Sequence, residues 1–223
     1  MFLNTATIIL FIIGLYWSLV IAPADYQQGD VYRIIFIHVP AAWLSMAVYV
    51  IMAVAGTVTL IWRAKIAEII CVQAAPVGLS FTVIALVTGM LWGKPTWGTY
   101  WVWDARLTSE LILLFLYIGV VGLYKSISDA RSAARACSIL SIVGVVNIPI
   151  IHFSVNWWNT LHQGATVTKL SAPSAHSSML YPLLFMGCTF FIYFVTILFI
   201  RSRSDILKRE RGKQWVQEIF NEF

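Results

Sequence analysis

The sequence predicts an all-α integral membrane protein, a bundle of six transmembrane helices with both termini in the cytoplasm. Three observations predict it. Of the 223 residues, 60% are hydrophobic and only 11% are charged, where a soluble domain carries about 25% charged residues. Mean hydropathy is +0.81. Finally, the apolar residues gather into six stretches close to the ~20 residues that a bilayer crossing needs. A chain so poor in polar residues cannot coat itself for water, which excludes a soluble globule, a disordered chain and a secreted disulfide scaffold.

The expected spans are 5–22, 41–62, 72–92, 108–124, 136–156 and 179–200. None shows the two-residue alternation of a barrel strand, so helices are expected. The first span has Ala22-Pro23-Ala24 after it, which resembles a signal-peptide cleavage site. Residues 1–7 carry no positive charge, however, and the apolar run is long for such a peptide, so a retained helix is expected. The fourth span reaches a useful length only by starting at Thr108, which puts Glu110 in its first turn. The six spans fill one membrane domain, with no room for a sizeable soluble one. Residues 201–223 form a basic, mixed-charge tail.

Orientation follows from the basic residues in the connections. One side holds Arg63, Lys65, Lys125, Arg131, Arg135 and the tail's Arg201, Arg203, Lys208, Arg209, Arg211 and Lys213, eleven in all; the other holds four, Arg33, Lys94, Arg106 and Lys169. Eleven against four puts both termini and the tail inside and the connections near 23–40, 93–108 and 157–178 outside. The net charge of +5 thus reflects cytoplasmic loops, and no nucleic-acid partner is expected. Cys71, Cys137 and Cys188 form neither C-x-x-C nor C-x-x-C-H, so a thiol oxidoreductase or a covalent haem protein is not indicated.

The chemistry lies in the outer connections. The run WGKPTWGTYWVWDARLTSE holds Trp92, Trp97, Trp101 and Trp103, four of the chain's ten tryptophans within twelve residues. An interfacial aromatic belt spreads such residues over many helix ends; this is one dense run. Gly93, Pro95 and Gly98 are expected to break the third span, leaving a short helix or ordered loop. On helical spacing Trp97, Trp101 and Asp104 share one face and Trp103 and Arg106 the other. Flat aromatic walls suit a large planar apolar ligand. Asp104 is also a good N-cap for the fourth helix.

All four histidines, His38, His152, His162 and His176, fall on the outer half of the chain. Neutral imidazole is an effective axial ligand of haem iron, and two of these histidines flanking an aromatic slab would make a haem cradle. Arg33, Lys94 and Arg106 lie near these features and are suited to haem propionates, Arg above all because it can bind a carboxylate through two N–H groups. Lys169 reads as a solvated loop charge. Two other readings compete. A substrate-coupled transporter keeps ionisable residues at mid-depth, whereas the expected spans hold none, with Glu110 at an edge. A transmembrane electron carrier places histidine pairs deep in the bilayer, whereas these sit toward one surface.

WGTYWVWDARLTSE resembles the tryptophan-rich signature of the haem-handling membrane proteins of cytochrome c assembly. APADYQQGDVYRIIFIHVPAAW, TGMLWGKPTWGTYWVWDARLTSELILLFLYIG and GVVNIPIIHFSVNWWNTLHQG extend the similarity over most of the chain to the haem exporter protein C (CcmC) family. The resemblance implies a multi-pass protein of the bacterial inner membrane that is not an enzyme. It would hold b-type haem, non-covalently and through two histidines, facing the periplasm. At most it would assist covalent attachment of haem to its acceptor. The matching histidines are His38 and His162. Trp92, Trp97, Trp101, Trp103 and Asp104 would shape the site, with Arg33 and Arg106 near the propionates. Implied partners are the periplasmic haem chaperone CcmE, the small membrane protein CcmD, the ABC transporter complex CcmAB and membrane lipid.

Overall fold

Helix α1 (Phe2–Tyr16) opens the chain in the computed structural model, which describes residues 2–164, 167 and 175–221. A π-helical turn (Trp17–Ile21) extends it, and a 3-10 turn (Asp30–Ile34) leads into α2 (Ile35–Trp62). There follow α3 (Lys65–Trp97), α4 (Ala105–Ser126), α5 (Ala130–Gly144), α6 (Asn147–Trp157), α7 (Ser177–Arg209) and α8 (Gln214–Asn221). Among the described residues, six segments are long and apolar enough to cross a membrane: Leu3–Ile21, Asp30–Trp62, Lys65–Trp97, Ala105–Ser126, Ala130–Trp157 and Ser177–Arg209. The protein is thus an all-α, multi-pass membrane protein.

The helices overrun the expected spans. At about 1.5 Å per residue, the 33 residues of α3 extend about 50 Å, against a hydrocarbon core of about 30 Å. The surplus carries Trp92 and Trp97 at one end and Glu68 at the other. The break expected at Gly93 and Pro95 does not occur. Pro95 cannot return an N–H to the carbonyl one turn earlier, yet the helix runs on through it and stops only at Gly98. That residue takes a left-handed φ of +80°, and its N–H caps the Lys94 carbonyl at 3.1 Å. Helix α7 likewise runs on through Arg201 and Arg203 to Arg209, so much of the basic tail continues the last span. The loop expected at 23–40 is shorter, and His38 stands in the first turn of α2.

The fifth span is broken into α5 and α6 around Val145 and Val146. Pro149, two residues into α6, has no N–H to return to the preceding turn. Asn147 restores a link by donating its amide to the Ser109 carbonyl at 2.9 Å.

The core lies where α2, α3 and α4 meet. Tyr49 and Tyr117 cross edge-to-face with centroids 5.1 Å apart, and both are fully buried. Their hydroxyls donate to backbone carbonyls, Tyr117 to Ser45 at 2.6 Å and Tyr49 to Leu140 at 3.3 Å, which meets the polar cost of burial. Helix α1 packs on α7 through Phe11 against Phe190 and Tyr193, while Ile8 and Ile12 of α1 and Val20 of the π-helical turn are exposed, as in a lipid-facing helix.

Two acidic residues among those described are buried: Glu68 lies before the expected third span, and Glu110 is the edge residue of the fourth. Glu68 is buried at one end of α3, 3.6 Å from the Arg209 guanidinium. Glu110 is buried in α4, where Ser45 Oγ donates to it at 2.8 Å.

Candidate functional site: a histidine pair in a tryptophan-lined cleft

The ends of α3 and α6 and the starts of α2 and α4 converge at one end of the bundle, around two imidazoles. The His38 ring lies against α3 over Gly89, where a Cβ would stand 3.1 Å from His38 Cε1. His38 Nδ1 donates to the Ala85 carbonyl at 3.0 Å, with Thr88 Oγ1 at 3.1 Å beside it. His162, in the loop after α6, donates from Nδ1 to the Gln163 carbonyl at 2.8 Å. A carbonyl only accepts, so each ring carries its proton on Nδ1 and keeps its Nε2 lone pair free. The ring centroids are 6.3 Å apart and the rings tilt 36° from one another.

A cleft with about 720 Å³ of empty space, part of it open to the surroundings, lies beside the pair. Trp92, Trp97 and Trp101 line it with Met90, Leu107 and Glu110. Trp92 meets His38 edge-to-face at 5.7 Å and is pinned by its Nε1–H donating to Gln28 Oε1 at 2.7 Å. Trp97 faces His162 at 6.1 Å. Trp101 lies edge-on to Trp103 at 5.4 Å. The Trp101 indole N–H is buried with no acceptor among the described residues, an unmet donor at the edge of the cleft. Trp103 is 75% exposed and is not part of the cleft lining.

The expected helical faces across 97–104 are not formed. Trp97 ends α3, residues 98–104 are non-helical, and Asp104 caps α4, so tertiary packing sets where these side chains meet. Asp104 does more than cap. Its Oδ1 accepts from Leu107 N at 2.8 Å and its Oδ2 accepts from the Thr160 hydroxyl. That hydroxyl accepts in turn from His162 N at 3.0 Å. One carboxylate therefore ties the tryptophan segment to the loop that carries His162.

The two arginines part company. Arg106 lines the cleft with both histidines; one N–H donates to the Ile151 carbonyl at 2.6 Å, and among the described residues it makes no ion pair within 4 Å. Arg33 lies outside the cleft lining. It binds Asp30 at 2.9 Å and the Ala22 carbonyl at 2.6 Å, which fastens the end of the first span. Lys94 donates to the Gly98 carbonyl and rests over the Tyr100 ring. His176 caps α7 and is exposed, and His152 is exposed on α6. Lys169 lies outside the described residues. The sequence offers Glu110 only as an acid at the edge of the fourth span and does not single out Thr160, so neither is expected at the cleft; an acid one turn into an apolar span is the available signal for Glu110.

Burial, then the nearby Arg106 guanidinium, lowers the His162 pKa to about 4 from its ordinary 6.5. The unfolded chain therefore binds a proton that the fold refuses between those values. The resulting stability is fully present above pH 6.5 and is lost as pH falls toward 4. Thermal unfolding of the ligand-free protein in detergent is expected to show this decline, and His162→Gln to lessen it; identical pH profiles would refute the assignment.

Residues 1–217 match the family model described as heme exporter protein C. The chain is 49% identical to heme exporter protein C of Haemophilus influenzae, over 96% of this chain and 87% of the relative. It is 51% identical to the Escherichia coli K12 protein of the same name, over 97% and 87%. A putative ccmC-like mitochondrial protein of cytochrome c biosynthesis from Marchantia polymorpha is 44% identical, over 87% and 82%. A six-span bundle with a histidine pair at the head of an aromatic cleft, matched over nearly its whole length, belongs to the heme exporter protein C family.

Proposed function

We propose that this protein binds haem at the outer face of the bacterial cytoplasmic membrane and delivers it to the periplasmic chaperone CcmE for maturation of c-type cytochromes. The observation that carries the reading is the imidazole pair. Metal–nitrogen bonds of about 2 Å, with each ring centre roughly 1 Å further out, would put the centroids about 6 Å apart; His38 and His162 stand at 6.3 Å. Both have Nε2 free. The carbonyl bonds at Nδ1 hold each ring and make it a better donor to iron.

The surroundings agree with that cargo. Trp92, Trp97 and Trp101 offer apolar faces for a macrocycle. Arg106 and the Trp101 N–H, which has no acceptor among the described residues, are donors suited to propionate oxygens. Trp103 and Arg33 lie further out and belong to the rim of the proposed site. The distribution of basic residues supports a periplasmic position for the cleft end of the bundle, where CcmE would reach it, and CcmD and CcmAB are the proposed membrane partners. The protein holds and presents its cargo rather than transforming it.

The test is hand-over. Protein purified in mild detergent is expected to carry haem with a six-coordinate low-spin spectrum and to yield it when mixed with the soluble domain of CcmE. Wild-type protein that takes up no haem would overturn the reading.

A further inference from the structure

The cleft continues past the histidines. A second space of about 750 Å³ shares His38, His162, Trp92 and Arg106 with it but extends the other way, toward Trp43, Met46 and His152. These last three residues also line an open groove of about 1260 Å³ on the outside of the bundle, between α2 and α6. The groove's other walls are apolar, among them Ala47, Val50, Val146 and Phe153. Lipid-facing surface, groove, inner space and histidine pair thus succeed one another, each sharing side chains with the next.

The groove has a structural cause. Arg106 holds the Ile151 carbonyl and Asn147 holds the Ser109 carbonyl. Both bonds draw α6 onto α4, and with the break at Val145–Val146 they leave its flank parted from α2. Trp43 cannot swing away from α7 to close the gap without leaving its seat over Gly187, where a Cβ would stand 3.2 Å from the indole.

We propose that this groove is a lateral portal by which haem dissolved in the bilayer enters between α2 and α6, with His152 as its ligand at the threshold. The proposal rests on the haem reading above. An apolar groove open to lipid would also admit an acyl chain, but an acyl chain gives no use to an imidazole. His152 stands where groove and inner space join, with its ring edge-on to Phe153 at 4.8 Å. A planar apolar macrocycle with a metal centre uses both features: the walls bury the ring, and the imidazole meets the iron before His38 and His162 do.

The test measures uptake of haem from preloaded vesicles by protein reconstituted in the same bilayer. Ala47→Trp combined with Val146→Trp fills the groove from two exposed positions outside the cleft. Uptake is expected to slow at least tenfold, and loss to haem-free vesicles to slow equally, with final spectrum and affinity unchanged. His152→Ala is expected to slow uptake severalfold with the same final spectrum. Wild-type uptake rates in the filled variant would overturn the portal, as would slowing accompanied by an altered final spectrum. Should the filled variant not fold, Ala47→Cys in a Cys188→Ser background is compared before and after labelling with a bulky maleimide, under the same criteria. Wild-type protein without any haem band sinks the haem reading instead, a separate result.

Discussion

Protein carrying His38→Ala together with His162→Ala is expected to purify without haem, whereas either single variant retains some in altered coordination. Loss of one axial imidazole should weaken binding at least tenfold, about 1.4 kcal/mol, and convert a six-coordinate spectrum to a five-coordinate one. Added imidazole should restore the original spectrum in each single variant, because the missing side chain leaves a space shaped to receive it. The two sites differ in support. His38 sits on a helix and is held by the Ala85 carbonyl, while His162 sits on a loop and is held by its neighbour Gln163. His162→Ala should therefore be the milder loss. Unchanged haem content and spectrum in the double variant would remove both histidines from the site.

The second large effect concerns a residue that need not touch the ligand. Asp104→Ala removes a helix cap, a cost of about 1 kcal/mol, and also releases Thr160 and with it the His162 loop. Thr160→Val leaves the cap in place and breaks only the link. Haem affinity is expected to fall about tenfold in Thr160→Val, with fold stability lowered by no more than about 1.5 kcal/mol for the lost hydrogen bonds. The two changes should not add. With the link already broken by Asp104→Ala, Thr160→Val should cost little more affinity, which a double-mutant cycle measures. Additive losses would show that Asp104 does not position the His162 loop through Thr160.

Several features were legible in the residues, and their limits are instructive. Asp104 as N-cap follows from a short acceptor before an apolar helix, and the structure has it. Gly93 and Pro95 are strong breakers in isolation, yet α3 runs through both and stops only where Gly98 takes a left-handed φ. Arg33 and Arg106 looked equivalent by sequence, both being outer arginines beside an aromatic or histidine feature. Only the fold separates them, since Arg33 fastens the first span and Arg106 reaches the cleft. Glu110 was read as an edge residue because the fourth span was short; with α4 starting at Ala105 it lies buried against Ser45.

Composition alone determined that lipid surrounds this chain. Apolar run length determined six helical crossings, because a backbone in hydrocarbon must meet its own hydrogen bonds within each segment. These are local properties, and a linear pattern records them. Tertiary structure alone brought His38 and His162 to 6.3 Å across 124 positions of chain, left the Trp101 N–H without an acceptor among the described residues and opened the groove between α2 and α6. Each depends on how helices distant in sequence rotate and lean against one another, which side-chain packing decides and periodicity does not encode.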